Sequence, residues 1–586
     1  MFRAKTFTVI LCLVGVAAIS CGAGELKDDW NDFLHYTKIG RFDMAKAYAQ
    51  AILEANPEPQ ALIDLAAANE QGYEILLRIQ KNQNDSELAS LTDRVLAIVE
   101  QGRNLKLSDP QLIVQEVQRL SSPTPRGRMI ALKRLKDNGE YAVPFMLDAL
   151  GDPARRDEFV NIVEALPQLG QPAIRPLVAA LQNRDSAVKI EIVKALGGVG
   201  YPQSLPYLKF VIENNPSSEI QMQAAASMQQ IDPLAQSTAA AELFHTLGEN
   251  YYYHNASLSP VSKSGHTNMW FWDETKRRLV WNPVDSQIFN EMMAMRCCEW
   301  SLRANPGMGQ SIGLWLASYF KAEATGTAMP EFFGPDHANA FVYGTTAGPM
   351  YLHQALARGL SDKDAGVALA ATEALIATAG PKTLFASVGA VQPLLQALVY
   401  SDEAVRTSAA IAVAQAGPQG PFDQSGLVIR NLATAVSNGL AAGDAYVQRS
   451  LVALRAISQQ RNMAFDLLGA QEALVAASRS ESAEYKTLAC QALAGVNSGT
   501  AQQAIAEVGI SDRSDLTVRI AAFNSLAESA KVNGSMLSGQ TLANMYELIG
   551  SGTTDANLRT AAAMAFGALN LPSENVKGLI LHQAKS

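Results

Sequence analysis

The stretch Pro393 to Gly417, PLLQALVYSDEAVRTSAAIAVAQAG, constrains this chain more than any other. It reads as two short helices joined by the polar turn Ser401-Asp402-Glu403. Leu394, Leu395, Leu398 and Val399 form an apolar stripe of helical period on the first. Asp402 stands where an N-cap belongs, and Val405, Ala409, Ile411 and Val413 carry the stripe of the second helix up to Gly417-Pro418. A hairpin this small cannot bury its own apolar faces. It needs copies of itself on either side.

The copies are there. Asp185, followed by Val188 and Lys189, opens IEIVKALGGVG, and Asp364, followed by Val367, opens ALAATEALIATAG. Asp444 with Val447 and Gln448 opens RSLVALRAIS, and Glu481 with Tyr485 and Lys486 opens TLACQALAGV. Asp515 with Val518 and Arg519 opens IAAFNSLAES, and Asp555 with Leu558 and Arg559 opens TAAAMAFGAL. From Asp364 onward the acidic residue returns at intervals of roughly 33 to 42, the period of paired-helix solenoids. Pro144, Pro176, Pro206 and Pro393 each fall near the start of a first helix, where a missing N–H does no harm. The expected fold is all-α, a right-handed α-solenoid of stacked hairpins.

This pattern resembles the HEAT/armadillo repeats, whose second helix commonly begins with Asp, an apolar residue and then Arg or Lys. Arg406, Arg519 and Arg559 keep the basic position, whereas Gln448 and the Ala-rich copy at Asp364 depart from it. The resemblance implies that Asp185, Asp364, Asp402, Asp444, Asp515 and Asp555 join those arginines in a structural ladder between neighbouring repeats. It does not imply an active site.

At 586 residues the chain exceeds what one compact core accommodates, so an extended array or several domains is expected. The net charge of −9 is mild for this length, and no basic run gives nucleic acid a surface to bind. Residues 1–24 read as a secretory signal, with Arg3 and Lys5 ahead of an apolar run from Phe7 to Ile19. Ala18-Ile19-Ser20-Cys21 resembles a lipobox, which would make Cys21 an acylated first residue. Cys21-Gly22-Ala23 equally suits an ordinary small-residue cleavage site. The chain is therefore expected to be exported to the periplasm or cell envelope, and to meet a membrane only through an N-terminal lipid. Cys297, Cys298 and Cys490 give no disulfide framework and read as buried thiols.

Residues 25–120 read as a separate helical region. Trp30 to Pro57 resembles one tetratricopeptide repeat, through Gly40-Arg41-Phe42-Asp43 at the turn, Ala45, and the closing Leu53-Glu54-Ala55-Asn56-Pro57. Ile52 departs from that pattern, where the family has Ala. Repeats of the first type follow over 121–241 and again over 351–586.

Between 242 and 350 the repeat fails. Five of the six Trp and four of the seven His lie there. Met269 to Glu274 and Arg277 to Trp281 read as two short strands around a charged turn. The block is similar to an aromatic insertion in exported bacterial HEAT-repeat proteins of planctomycete type, through this strand pair and the run Phe289 to Arg296. Tyr251, Tyr252, Trp270, Trp272 and Trp281 are candidates for contact with a partner, because aromatic side chains dominate interface hot spots. The other reading makes them a small local core. His254, His266, Asp273 and Glu274 carry metal-ligand chemistry, but their spacing fits no zinc signature. Arg296 and Glu299 fit an ion pair along one helix. No nucleophile elbow, phosphate loop or HExxH occurs, so neither a catalytic residue nor a cofactor or metal site is expected.

The sequence thus points to a non-enzymatic scaffold that holds another protein. Two alternatives remain. One is an enzyme that handles a cofactor or metal, as some HEAT-like families handle bilins or iron, though the His-Glu dipeptide of the iron binders is absent here. The other is glycan binding through the aromatic block.

Overall fold

The computed structural model describes residues 23–80, 85–259, 265–418 and 420–574, with Lys577 and Leu581. The apolar N-terminal run and Cys21 lie outside the described residues. The chain divides into two compact units, Met1–Ser237 with Pro260–Ser286, and Thr238–Ser259 with Gln287–Ser586. The interval 242–350, read from sequence as one insertion, is therefore split between them.

The first unit begins with α1 (Ala23–Lys38), α2 (Phe42–Glu54), α3 (Pro59–Ala68), α4 (Glu70–Ile79), α5 (Ser86–Leu107) and α6 (Pro110–Arg119). It continues with α7 (Pro125–Asn138), α8 (Ala142–Gly151), α9 (Phe159–Ala165), α10 (Ile174–Ala180), α11 (Ser186–Val199), α12 (Leu205–Asn214) and α13 (Ser218–Ile231). Helices α1 and α2 form the hairpin read from Trp30 to Pro57, with Tyr36 stacked on Tyr48 at 5.5 Å and Ile52 fully buried. Strands β1 (His266–Asp273) and β2 (Arg278–Asp285) pair antiparallel with Trp270 opposite Trp281. Asp273 closes their turn by accepting from the Thr275 and Lys276 N–H groups, both at 2.9 Å.

The second unit contains α14 (Ala240–Tyr252), α15 (Phe289–Ala304), α16 (Gly309–Ala324), α17 (Ala340–Ala347), α18 (Pro349–Asp362), α19 (Ala365–Thr378), α20 (Pro393–Ala397) and α21 (Glu403–Ala416). Then come α22 (Ser425–Gly439), α23 (Ala445–Gln460), α24 (Gln471–Ser478), α25 (Ala483–Leu493), α26 (Gly499–Ile510), α27 (Leu516–Asn533), α28 (Gly539–Gly550) and α29 (Ala556–Ala568). Second helices pack on second helices, α19 on α21, α21 on α23, α23 on α25, α25 on α27 and α27 on α29. First helices do likewise, α22 on α24, α24 on α26 and α26 on α28. The fold is an all-α solenoid with one two-stranded ribbon among the described residues. No helix among them is long and apolar enough to cross a membrane.

The acidic openings do a local job. Asp185, Asp364, Asp402, Asp444 and Asp555 cap their helices by accepting backbone N–H groups of the first turn. Asp515 occupies the same position without a side-chain cap bond. The arginines reach backward within the same hairpin. Arg406 donates to the Tyr400 and Ser401 carbonyls, Arg519 to those of Gly509 and Ile510, and Arg559 to those of Ser551 and Thr554. These residues therefore do not form the expected ladder between repeats. A short Asp and an Arg four residues later satisfy the open ends of two consecutive helices, so they are spent inside one hairpin.

Contact between repeats comes from other side chains. Glu373 on α19 takes a two-pronged bond from Arg449 on α23, at 3.0 and 2.7 Å, and accepts from Ser408 on α21 at 2.5 Å. Phe385, Phe422 and Phe465, from three successive loops, meet ring to ring, the first two tilted at 5.2 Å and the last two edge to face at 6.0 Å. Gly417 closes α21 in the left-handed region, at φ 64°.

Replacing Asp402 with Ala is expected to destabilise α21 by about 1 kcal/mol. Amide exchange in its first turn, Val405 above all, should quicken accordingly. The matched change Asp515→Ala removes no cap bond and should leave exchange at the start of α27 nearly unchanged.

Candidate functional site

Trp270 is a core residue. It is 1% exposed, and its indole N–H donates to Glu140 Oε2 at 2.8 Å. Glu140 Oε1 accepts from the Asn268 amide at 2.8 Å, and Arg175 closes on Oε2 at 3.1 Å. The Tyr141 ring lies edge-on to Trp281 at 5.5 Å, and Trp270 meets Trp281 at 5.1 Å. The ribbon packs on α10 and α8, so it joins the first unit as a third element beside its helices. Trp281 is 37% exposed and Trp272 is half-buried.

Tyr251 and Tyr252 belong to the second unit, at the end of α14, and are 4% and 1% exposed. The Lys321 ammonium lies 4.4 Å over the Tyr252 ring, and Arg358 lies 5.3 Å from it. As partner contacts, Tyr251, Tyr252 and Trp270 are therefore corrected to core. Their area is already buried, and the cations that meet Tyr252 are already in place. The exposed aromatics of this interval include Tyr253, Trp281, Phe332, Phe341 and Tyr343, with Tyr343 against Trp315 at 5.1 Å.

Among the described residues no three histidine, cysteine or carboxylate side chains gather as a metal site. His254 is in the second unit, while His266, Asp273 and Glu274 are in the first. His266 and Asp273 end the same eight-residue strand, which sets them about 23 Å apart at ~3.3 Å per residue. His254 instead bonds Glu291 at 2.5 Å, and Lys321 lies 3.5 Å from the same carboxylate oxygen. Glu299 accepts from the Trp315 indole at 3.3 Å.

One constellation has the order of a nucleophilic triad. His245 Nδ1 lies 3.1 Å from Ser311 Oγ, and its Nε2 lies 3.7 Å from Glu249. Ser311 is fully buried, and its hydroxyl donates to Ser301 Oγ at 2.8 Å, which in turn donates to the Ala241 carbonyl. Burial holds the His245 imidazole below its usual range, against the pull of Glu249. The Ser311 proton is thus committed to Ser301 Oγ, and the side chain is fully buried, so this chain of bonds is internal bracing. Cys297, Cys298 and Cys490 are free and buried, and burial pushes all three thiols up.

A groove of about 600 Å³ runs along α23, α25 and α27 of the second unit. Ala521, Asn524, Ser525, Glu528 and Val532 line it from one face of α27, at helical spacing. Met463, Leu468 and Val532 bring apolar surface to it, exposed 88%, 54% and 54%. The Gln491 side-chain oxygen is buried there without a hydrogen-bond partner. The amides of Asn497 and Asn524 make no side-chain hydrogen bond among the described residues. Sequence reasoning missed this groove. Its trace was Gln491 and Asn497 at and just beyond the end of α25, where small polar residues also suit ordinary turns, and Asn524 in the middle of α27, where a polar residue suits any exposed helix face.

A HEAT repeats family model matches residues 160–229, the stretch of α9 to α13. A search of curated proteins finds no match. Among solved structures the chain is similar to importin beta at 13% identity and a TM-score of 0.27, covering 95% of this chain and 69% of that one. It is also similar to the karyopherin Kap121p bound to the extreme C-terminus of the protein phosphatase Cdc14p, at 11% identity and a TM-score of 0.25, covering 95% and 68%. A Kap95:Nup1 complex matches at 14% identity and a TM-score of 0.27, covering 96% and 66%. This chain spans about two thirds of each of those chains.

If Trp270 is core, Trp270→Ala should lower the stability of the first unit by about 3–5 kcal/mol. Trp281→Ala, at the exposed end of the same cluster, should cost about 1 kcal/mol. Urea unfolding followed by circular dichroism separates the two. Equal small losses would return Trp270 to the surface.

Proposed function

We propose that this protein is a non-enzymatic scaffold whose second unit holds an extended segment of another protein in the groove along α23, α25 and α27. The observation that carries this is the pairing of open amides with exposed apolar side chains in one groove. An extended segment presents a backbone donor and acceptor at each residue, and Asn and Gln amides supply both. Met463 is unbranched and polarizable, which suits side chains of varied shape. The commitment of Ser311 and His245 to internal hydrogen bonds supports a role without catalysis.

We further propose that the scaffold works outside the cytoplasm, in the cell envelope. Arg3, Lys5 and the run Phe7 to Ile19 support export, and Cys21 is the residue at which a lipid would be attached. The mass of the mature amino terminus distinguishes an acylated Cys21 from simple cleavage.

Affinity capture from envelope extract tests the groove. A protein retained by the unaltered chain should be lost from the double variant Met463→Glu, Val532→Glu. It should be retained by Met129→Glu, which changes an exposed methionine of the first unit. Hot-spot losses of about 2 kcal/mol or more weaken binding some thirtyfold, enough to empty a wash-resistant complex. Identical capture by all three would refute the groove as the binding surface.

A further inference from the structure

We propose that the pocket between the β1–β2 ribbon and helices α8 and α11 binds a single neutral pyranose ring, with Trp272 as its platform. The pocket belongs to the first unit and is separate from the groove proposed above. Its volume is about 260 Å³, just below the ~300–1,000 Å³ of sites for drug-sized ligands, which leaves room for one ring. Leu147 and Val188 give it an apolar wall, and Trp272 contributes an indole.

The polar groups around that wall are unspent. Asp148 makes no hydrogen bond or ion pair among the described residues, and Arg277, in the ribbon turn at φ 49°, makes none either. Asn183 uses its side-chain oxygen to accept from the Asp185 N–H at 2.9 Å, which leaves its amide N–H₂ without a protein acceptor. The Trp272 indole N–H is buried without a partner. Trp270, one pleat away, has its own N–H satisfied by Glu140. The two indoles share one face of the ribbon, which is finished as core at Trp270 and left open at Trp272.

The chemistry selects the ligand. Asp148 and Asp185 are opposed by Arg277 in the lining and by Arg278 and Arg155 near Asp148, so neither a cation nor an anion finds one dominant charge. A hydroxyl both donates and accepts, so adjacent hydroxyls can engage Asp148 on one side and Arg277 or Asn183 on the other. The C–H face of a pyranose lies flat on an indole, while its hydroxyls point outward in the plane of the ring. Desolvation lifts the Asp148 carboxyl above its ordinary range, opposed by Arg278 and Arg155, and an accepted hydroxyl proton would offset that cost.

Isothermal titration of the full chain tests this. The probes are methyl α-mannoside, maltotriose and N,N′-diacetylchitobiose, with glucosamine and glucuronate as cationic and anionic controls. At least one neutral sugar should bind with Kd on the order of 1 mM, as suits roughly a dozen heavy atoms at modest efficiency. Trp272→Ala should abolish that binding. Because this change also loosens the ribbon, Asp148→Asn serves as the second variant. It should weaken binding at least tenfold with the unfolding midpoint unchanged. The proposal is overturned if no neutral sugar binds at about 50 mM, if a charged control binds more tightly, or if Asp148→Asn binds as the unaltered chain does.

Discussion

Along α21 every residue from Ser408 to Ala414 is buried, on all sides of the helix. A helix in an isolated hairpin can hide only the stripe that faces its partner. The rest of α21 is covered because α19 lies against one flank and α23 against the other. Covering of second helix by second helix is the constraint from which the remainder follows. It explains the small residues, because Ala409, Ala410, Ala412 and Ala414 let three helices approach closely. It also leaves open the ends of helices, the loops that lead from one hairpin to the next and, along the groove, one face of α27.

Two kinds of polar interaction divide the work. Aspartate caps and backward-reaching arginines finish each hairpin and look no farther than their own turn. Glu373, Ser408 and Arg449 tie three hairpins together, and Phe385, Phe422 and Phe465 do the same from the loops. The distinction matters for the groove. Asn497 and Asn524 fall at positions where neither job is needed, so their amides remain open to a ligand.

The repeated hairpin, its caps, its closing glycine and the strand pair around Asp273 were legible because each depends on residues close in sequence. Asp402 caps whatever helix follows it, and a run such as Met269 to Glu274 favours a strand in most surroundings. What was not legible depends on distant partners. Nothing near Trp270 announces that Glu140 will take its indole proton, or that the ribbon will join the first unit while Tyr251 and Tyr252 join the second. Aromatic composition suggested an exposed surface, but burial is decided by what packs on top, and in these three residues the local core prevailed. The groove was missed for a related reason. Its amides carry no signature until three hairpins are set side by side.

The resulting picture is a stack that spends many of its polar groups on itself and has, among its open places, an amide-lined groove and an aromatic pocket. Both depend on hairpins being held by their neighbours. Hydrogen exchange on a chain ending at Asn462, compared with the full chain, tests that dependence most directly. Leu451 and Leu454 of α23 are fully buried in the full chain. With α25 removed, their amides should exchange at least about tenfold faster, while those of α19 keep their protection. Unchanged protection throughout α23 would mean that the following hairpin adds nothing to it, and would contradict the mutual support of neighbours on which the groove rests.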